Sequence, residues 1–176
     1  MMRRTVCAAI GMALLGSAPA IAAQLQIEVA GAGEVSAPDM SEPQVLPGNL
    51  AGVAGVAAPV MIRPGHHITG VYCHQFGFSF RAVNLPKGQV APVLVQVAHP
   101  RWTLPDGRTG TEETWPSVLQ GNQWAYIGYA FTETWSLVPG EWVFTVSQNG
   151  QVLTRQSFMV DVAPGQVLQS CAASVS

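Results

Sequence analysis

The chain has 176 residues, of which only 10% are charged, with 8 basic and 10 acidic side chains. Globular proteins average roughly 25% charged residues, and a chain this poor in Lys and Arg offers no clustered basic surface for nucleic acid or anionic lipid. Its length allows one domain with a real core once the N-terminal leader is set aside.

That leader comes first in chain order. Arg3 and Arg4 precede an uncharged apolar run, TVCAAIGMALLG, which gives way to SAPAIAA with Ala20 and Ala22 in the small-residue positions of a cleavage site. Positive, apolar, then small is the pattern of a secretory signal, and the run is shorter than the ~20 residues a helix needs to span a bilayer. Residues 1–22 are therefore expected to be a cleaved signal peptide, either general secretory or twin-arginine, and Cys7 leaves with it. The mature chain then carries 6 basic against 10 acidic residues, has no membrane span, and is expected in the periplasm or outside the cell.

Residues 23–62 read as a Gly/Ala/Pro-rich arm or linker. QLQIEVA (24–30) alternates like a strand, but from Gly31 to Pro59 the pattern is lost, and such a composition buries too little apolar surface to offset its ordering entropy. A short strand is expected near Val60–Ile62. Residues 63–176 are expected to form a β-domain. FGFSFRA places Phe76, Phe78 and Phe80 on one face at period two. LPKG (85–88) makes a turn, and VAPVLVQVAH places Val93, Val95 and Val97 inside. LPDGRTG (104–110) and LQGN (119–122) are further turns. WAYIGYAFTETW puts Ile127, Tyr129 and Phe131 on one face, and VPG (138–140) breaks that run. EWVFTVSQ turns Trp142, Phe144 and Val146 inward. Asn149-Gly150 is the strongest hairpin signal in the chain, because a type I′ turn needs positive φ at both central positions. Turns every 10 to 20 residues, with no helical stretch between them, predict an all-β fold. The expected architecture is an antiparallel immunoglobulin-like sandwich of about seven strands with a flexible N-terminal arm, and a small barrel is the alternative.

FGFSF, the pair His99-Pro100, and VPGEWVFTVSQNGQVLTRQSFMV resemble a bacterial family, domain of unknown function 3859, over Phe76 to Val160. The resemblance implies a β-sandwich and carries no catalytic residues with it.

Two cysteines remain after export, Cys73 and Cys171. In an oxidising compartment a pair of cysteines most simply forms one disulfide. It would close a loop of about 100 residues, for which the chain-entropy model gives about 4.7 kcal/mol. A thiolate–imidazole dyad of Cys73 with His74 is disfavoured, since neighbours along a strand point to opposite faces. The remaining histidines and acids fit no metal or hydrolase motif. His99 is expected to cap a strand end, and Asp106, Glu112 and Glu113 to be solvated loop acids facing no common site. Trp102, Trp115, Trp124 and Tyr126 cluster around the turns at 104–110 and 119–122 and form a candidate contact surface. The expected function is therefore a non-enzymatic binding or accessory module of the bacterial envelope. It would use no cofactor, bind no nucleic acid, and recognise an envelope protein or glycan. The alternative is a periplasmic copper- or zinc-binding protein using His66, His67 and His74, with Met61 nearby.

Overall fold

The computed structural model describes residues 24–36, 39–47, 49–57, 59–162 and 164–165. Eleven strands follow one another along the chain: β1 Ile27–Ser36, β2 Asp39–Met40, β3 Val56–Ala57, β4 Val60–Pro64, β5 His67–Gly70, β6 Gln75–Ala82, β7 Val90–Thr103, β8 Thr109–Gln120, β9 Ala125–Ala130, β10 Gly140–Gln148 and β11 Gln151–Val162. The one helical element among the described residues is a 3₁₀ turn at Thr134–Ser136.

Two sheets form the sandwich. One has the order β4-β1-β6-β9 and the other β5-β11-β10-β7-β8, while β2 and β3 make a small separate ladder. The alternation read from the sequence holds. Phe76, Phe78 and Phe80 from the first sheet and Val95, Trp142, Phe144 and Val146 from the second are almost wholly buried. They meet across the sandwich: Phe76 lies edge-on to Trp142 at 5.5 Å and to Phe144 at 5.7 Å, with Phe131 stacked on it at 5.4 Å. Edge-to-face rings at this spacing add to plain area burial. The turns behave as their residues require. Asn149 and Gly150 both take positive φ and set the register of the β10–β11 hairpin, which closes with Gln148 opposite Gln151.

Three expectations change. The sandwich does not begin at residue 63. β1 lies between β4 and β6, so residues 27–36 of the expected arm are a central strand and 60–62 an edge strand. The glycines that made this stretch look unstructured serve close packing instead. Gly33 faces Gly77, which in turn faces Gly128, and a Cβ on Gly77 would stand 2.2 Å from the Ile127 carbonyl oxygen. The Tyr126 ring fills the strip left free of side chains, with its hydroxyl near the positions those Cβ atoms would occupy. The pairing is also not wholly antiparallel, since β5 runs parallel to β11, with Met159 opposite His67. Finally, the two sheets hold nine strands rather than seven. The ones not foreseen are β5, only four residues long, and β8, whose TGTEETWPSVLQ shows no regular alternation.

β7 shows how a local irregularity misled the reading. It does not end at His99. Its register against β8 shifts between Ala98 and Trp102, the signature of a bulge, and the inward phase moves by one residue. His99 is inward before the shift, and Trp102 and Leu104 are inward after it.

Candidate functional site

The expected aromatic surface does not form as one patch. Trp102 is wholly buried and sits in a nest of rings, stacked on His99 at 3.5 Å and edge-on to Trp135 at 5.1 Å. Trp115 is half-buried and packs against the core. Tyr126 lies over the glycine strip, and burial pushes its hydroxyl pKa above the ordinary tyrosine range. Only Trp124 stands out into solvent, at 50% exposure, with the Arg81 guanidinium 4.6 Å above its ring. The bulge in β7 explains the loss of Trp102 from the surface. The tyrosine is lost because two glycines leave room for it against the sheet.

The acids and His99 also depart from expectation. Asp106 remains in its turn at the surface. The Arg108 backbone N–H donates to it at 3.0 Å and the Arg108 side chain at 2.7 Å, which together hold its carboxyl below the usual range. Glu112 is exposed on β8. Glu113, its neighbour on the same strand, faces inward and is almost fully buried. Its Oε2 accepts the backbone N–H of Leu50 at 2.6 Å and of Ala51 at 3.2 Å. Its Oε1 lies 3.9 Å from His99 Nε2, while His99 Nδ1 lies 2.8 Å from the Pro100 carbonyl oxygen. His99 and Glu113 thus come together inside the sandwich, but Asp106 and Glu112 do not join them. A second buried acid, Glu34, is held by Arg63 at 2.8 Å and accepts the Thr69 N–H at 3.3 Å.

The histidines of the metal reading sit in different local settings. His66 is fixed by its Nδ1 on the Ser157 carbonyl oxygen at 2.7 Å and by stacking on Phe158 at 5.2 Å. His67 is exposed on β5 and His74 is exposed ahead of β6. Among the described residues no three His, Cys, Asp or Glu side chains gather closely enough to share a metal ion. Cys73 occupies the turn between β5 and β6 with φ 69°, so it and His74 are turn residues rather than strand neighbours, and the opposite-face argument does not apply to them. Its expected partner, Cys171, lies outside the described residues, as do the signal at residues 1–22 and the C-terminal tail.

Two surface features were not foreseen. A groove with room for about 100 Å³ runs between Pro43, Ala51 and Val56 on one wall and Gln75, Tyr126 and Tyr129 on the other. The second feature is an uncharged strip on the outer face of the five-stranded sheet. Pro116, Leu94, Ser147 and Val152 face one another in turn across β8, β7, β10 and β11, with Pro92 opposite Val118 one step along. Leu94 is 45% exposed, Val152 55%, Val118 57% and Val90 65%. The sequence did carry a signal for this strip. Once Val93 and Val95 are assigned inward, Pro92 and Leu94 must face out, and they are not polar.

No helix among the described residues is long and apolar enough to cross a membrane, and no curated protein matches the chain. Among solved structures, a crystal structure of an immunoglobulin-like protein from Pseudomonas aeruginosa superposes with a TM-score of 0.54 at 20% identity, over 80% of this chain and all of the other. An alkylpurine DNA glycosylase of Pseudomonas fluorescens bound to DNA containing an abasic site analog covers 54% of this chain and 27% of its own, with a TM-score of 0.31 and 16% identity. The first likeness supports the fold and the second is too slight to carry meaning. The family model for the domain of unknown function DUF3859 matches residues 58–160, from the edge strand β4 to the end of the last hairpin. With more than half of its length matched, this immunoglobulin-like β-sandwich belongs to the DUF3859 family.

Proposed function

We propose that the protein is an exported, non-enzymatic binding module of the bacterial envelope, and that its contact surface is the outer face of the five-stranded sheet. The observation that carries this reading is the uncharged strip through Leu94, Val118 and Val152. An exposed apolar stretch on a sheet face is costly to leave in water and commonly marks a protein contact. The strip takes over the role the sequence assigned to Trp102, Trp115 and Tyr126. An apolar face favours a protein partner over a glycan, which would want stacking rings and hydrogen-bonding side chains. Export rests on the N-terminal pattern of Arg3, Arg4 and the apolar run. A Cys73–Cys171 bridge accords with export to an oxidising compartment.

Two measurements test the reading. In a pull-down from envelope extract, Leu94→Lys combined with Val118→Lys should keep the wild-type melting temperature and lose the captured protein. Capture that survives both lysines would move the contact elsewhere. Alkylation of the mature protein under non-reducing conditions should label no thiol, and two labelled cysteines would end the bridge.

A further inference from the structure

The described residues between β1 and β4, 39–47 and 49–57, form a hairpin whose hydrogen bonds run chiefly within it. Gln44 and Val53 exchange backbone bonds at 2.9 and 2.8 Å. Ser41 N–H donates to the Gly55 carbonyl at 3.0 Å, and Gly55 N–H donates back to Ser41 Oγ at 2.8 Å. Asp39 and Met40 pair with Ala57 and Val56. The tip is shaped by Asn49, whose side-chain oxygen accepts the Gly52 N–H.

The tip bonds to the sandwich. Among the described residues, the hydrogen bonds joining the hairpin to the two sheets are those from Leu50 and Ala51 to Glu113 Oε2. The Leu50 side chain sits beside them, against Gly110, where a Cβ would meet Leu50 Cδ1 at 2.5 Å. Glu113 and Gly110 belong to β8, the edge of one sheet, while the groove beneath the hairpin is walled by Tyr126 and Tyr129 of β9, the edge of the other. The hairpin therefore closes the side of the sandwich between two sheet edges.

We propose that this hairpin is a strap that opens as a unit, and that the Glu113 carboxylate is its latch. Two N–H donors on one carboxylate oxygen make a strong closure, because hydrogen bonds to an ionised group are shorter and stronger than neutral ones. The same carboxylate makes opening local. It lies on an edge strand, so when the strap lifts, water replaces the two lost donors and no strand of either sheet is unpaired. A segment with its own ladder, anchored among the described residues through one carboxylate, is the kind of unit that opens below the global unfolding free energy. Opening uncovers Tyr126, Tyr129 and the free edge of β9 without unpairing a sheet.

Hydrogen exchange on the full chain, read by mass spectrometry, tests this. In the wild-type protein, peptides covering residues 41–57 should exchange at least about tenfold faster than those covering 90–103 and 140–148. Glu113→Ala should speed the strap peptides by a further factor of about ten and leave the β7 and β10 peptides unchanged. Leu50→Ala, which leaves no buried charge unpaired, should have the same selective effect and supplies the readout if Glu113→Ala does not fold. If strap and core peptides exchange together in the wild-type protein, or if the variants accelerate both equally, the strap is an integral part of the sandwich and the proposal is wrong.

Discussion

Gly77→Ala is the substitution on which general expectation and this structure disagree most clearly. Gly77 lies in mid-strand with no positive φ, and replacing such a glycine normally stabilises by about 0.4–1 kcal/mol, because the unfolded chain loses freedom. Here the new methyl carbon would stand 2.2 Å from the Ile127 carbonyl oxygen, 2.5 Å from Gly128 Cα and 2.8 Å from the Tyr126 hydroxyl. Two of these three obstacles are backbone, so no rotamer change relieves them, and β6 and β9 must separate along the Gly77–Gly128 step. Forced separation of packed elements costs about 1–3 kcal/mol, which outweighs the entropic gain and leaves a net loss of roughly 1–2 kcal/mol. For a domain of about 150 residues that is a fall in melting temperature of roughly 2–8 °C, readable by circular dichroism. Adding Tyr126→Ala should give no recovery, because the Ile127 carbonyl remains. A melting temperature equal to or above the wild type would refute the close approach of β6 and β9. Recovery in the double variant would show that the hydroxyl, and not the backbone, was the obstacle.

Other sites give sharper single outcomes. Phe76→Ala removes a ring that touches Phe131, Trp142, Phe144 and Phe158 and should cost about 3–5 kcal/mol in urea unfolding; a loss below about 1 kcal/mol would mean the core is not packed around it. Burial raises the pKa of Tyr126 and Tyr129 above the ordinary range, and the charges of Glu113 and Glu133 push Tyr129 the same way. The folded state therefore holds these protons more tightly than the unfolded state, so stability is intact below about pH 10 and declines as pH rises beyond it. The absorbance of two tyrosinates should appear only as the near-UV dichroism is lost, and Tyr129→Phe should shift that loss to higher pH. Ionisation near pH 10 in a protein still folded would contradict the burial. Trp124→Ala removes an exposed ring and one cation–π contact and should change stability by less than about 1 kcal/mol, checked in the same urea series.

What the sequence revealed depended on whether a residue's neighbours along the chain were also its neighbours in space. Phe76, Phe78 and Phe80, or Trp142, Phe144 and Val146, are read correctly because a strand imposes period two and the alternate residues are visibly apolar. Asn149-Gly150 is read correctly because its conformational demand is local. β1 is misread because its glycines answer to other strands. Gly33 faces Pro64, 31 positions away, and Gly77, 44 positions away, and composition alone makes IEVAGAGEVS look like a linker. β8 is misread for a related reason. As an edge strand it is buried along only part of one side, so the alternation of TGTEETWPSVLQ is blurred, and Glu113 is hidden beside the exposed Glu112. Trp102 is lost through the irregularity in β7, where four steps from Ala98 to Trp102 oppose two from Glu112 to Gly110, and the inward phase that simple counting would continue is reversed after it.

The buried acids carry the same point into function. In a chain so short of charge, an acid is most naturally placed in solvent, yet Glu34 and Glu113 are both turned inward. Each accepts backbone N–H groups from a segment that is not paired to its own strand: Thr69 of β5 for Glu34, and Leu50 and Ala51 for Glu113. A buried ionised carboxylate is poor value as a source of stability, since desolvation cancels much of its attraction. Its use is positional, because removing the segment it holds leaves a charge that the interior cannot accommodate unless water enters. Glu34 is also held by Arg63, so losing Thr69 leaves it paired, and that junction should stay shut. Among the described residues Glu113 has no Arg or Lys in ion-pair reach, and its neighbour is His99 at 3.9 Å. Of the two junctions, the one made by Glu113 depends wholly on its segment being in place, which is why movement is expected at the strap and not at β5.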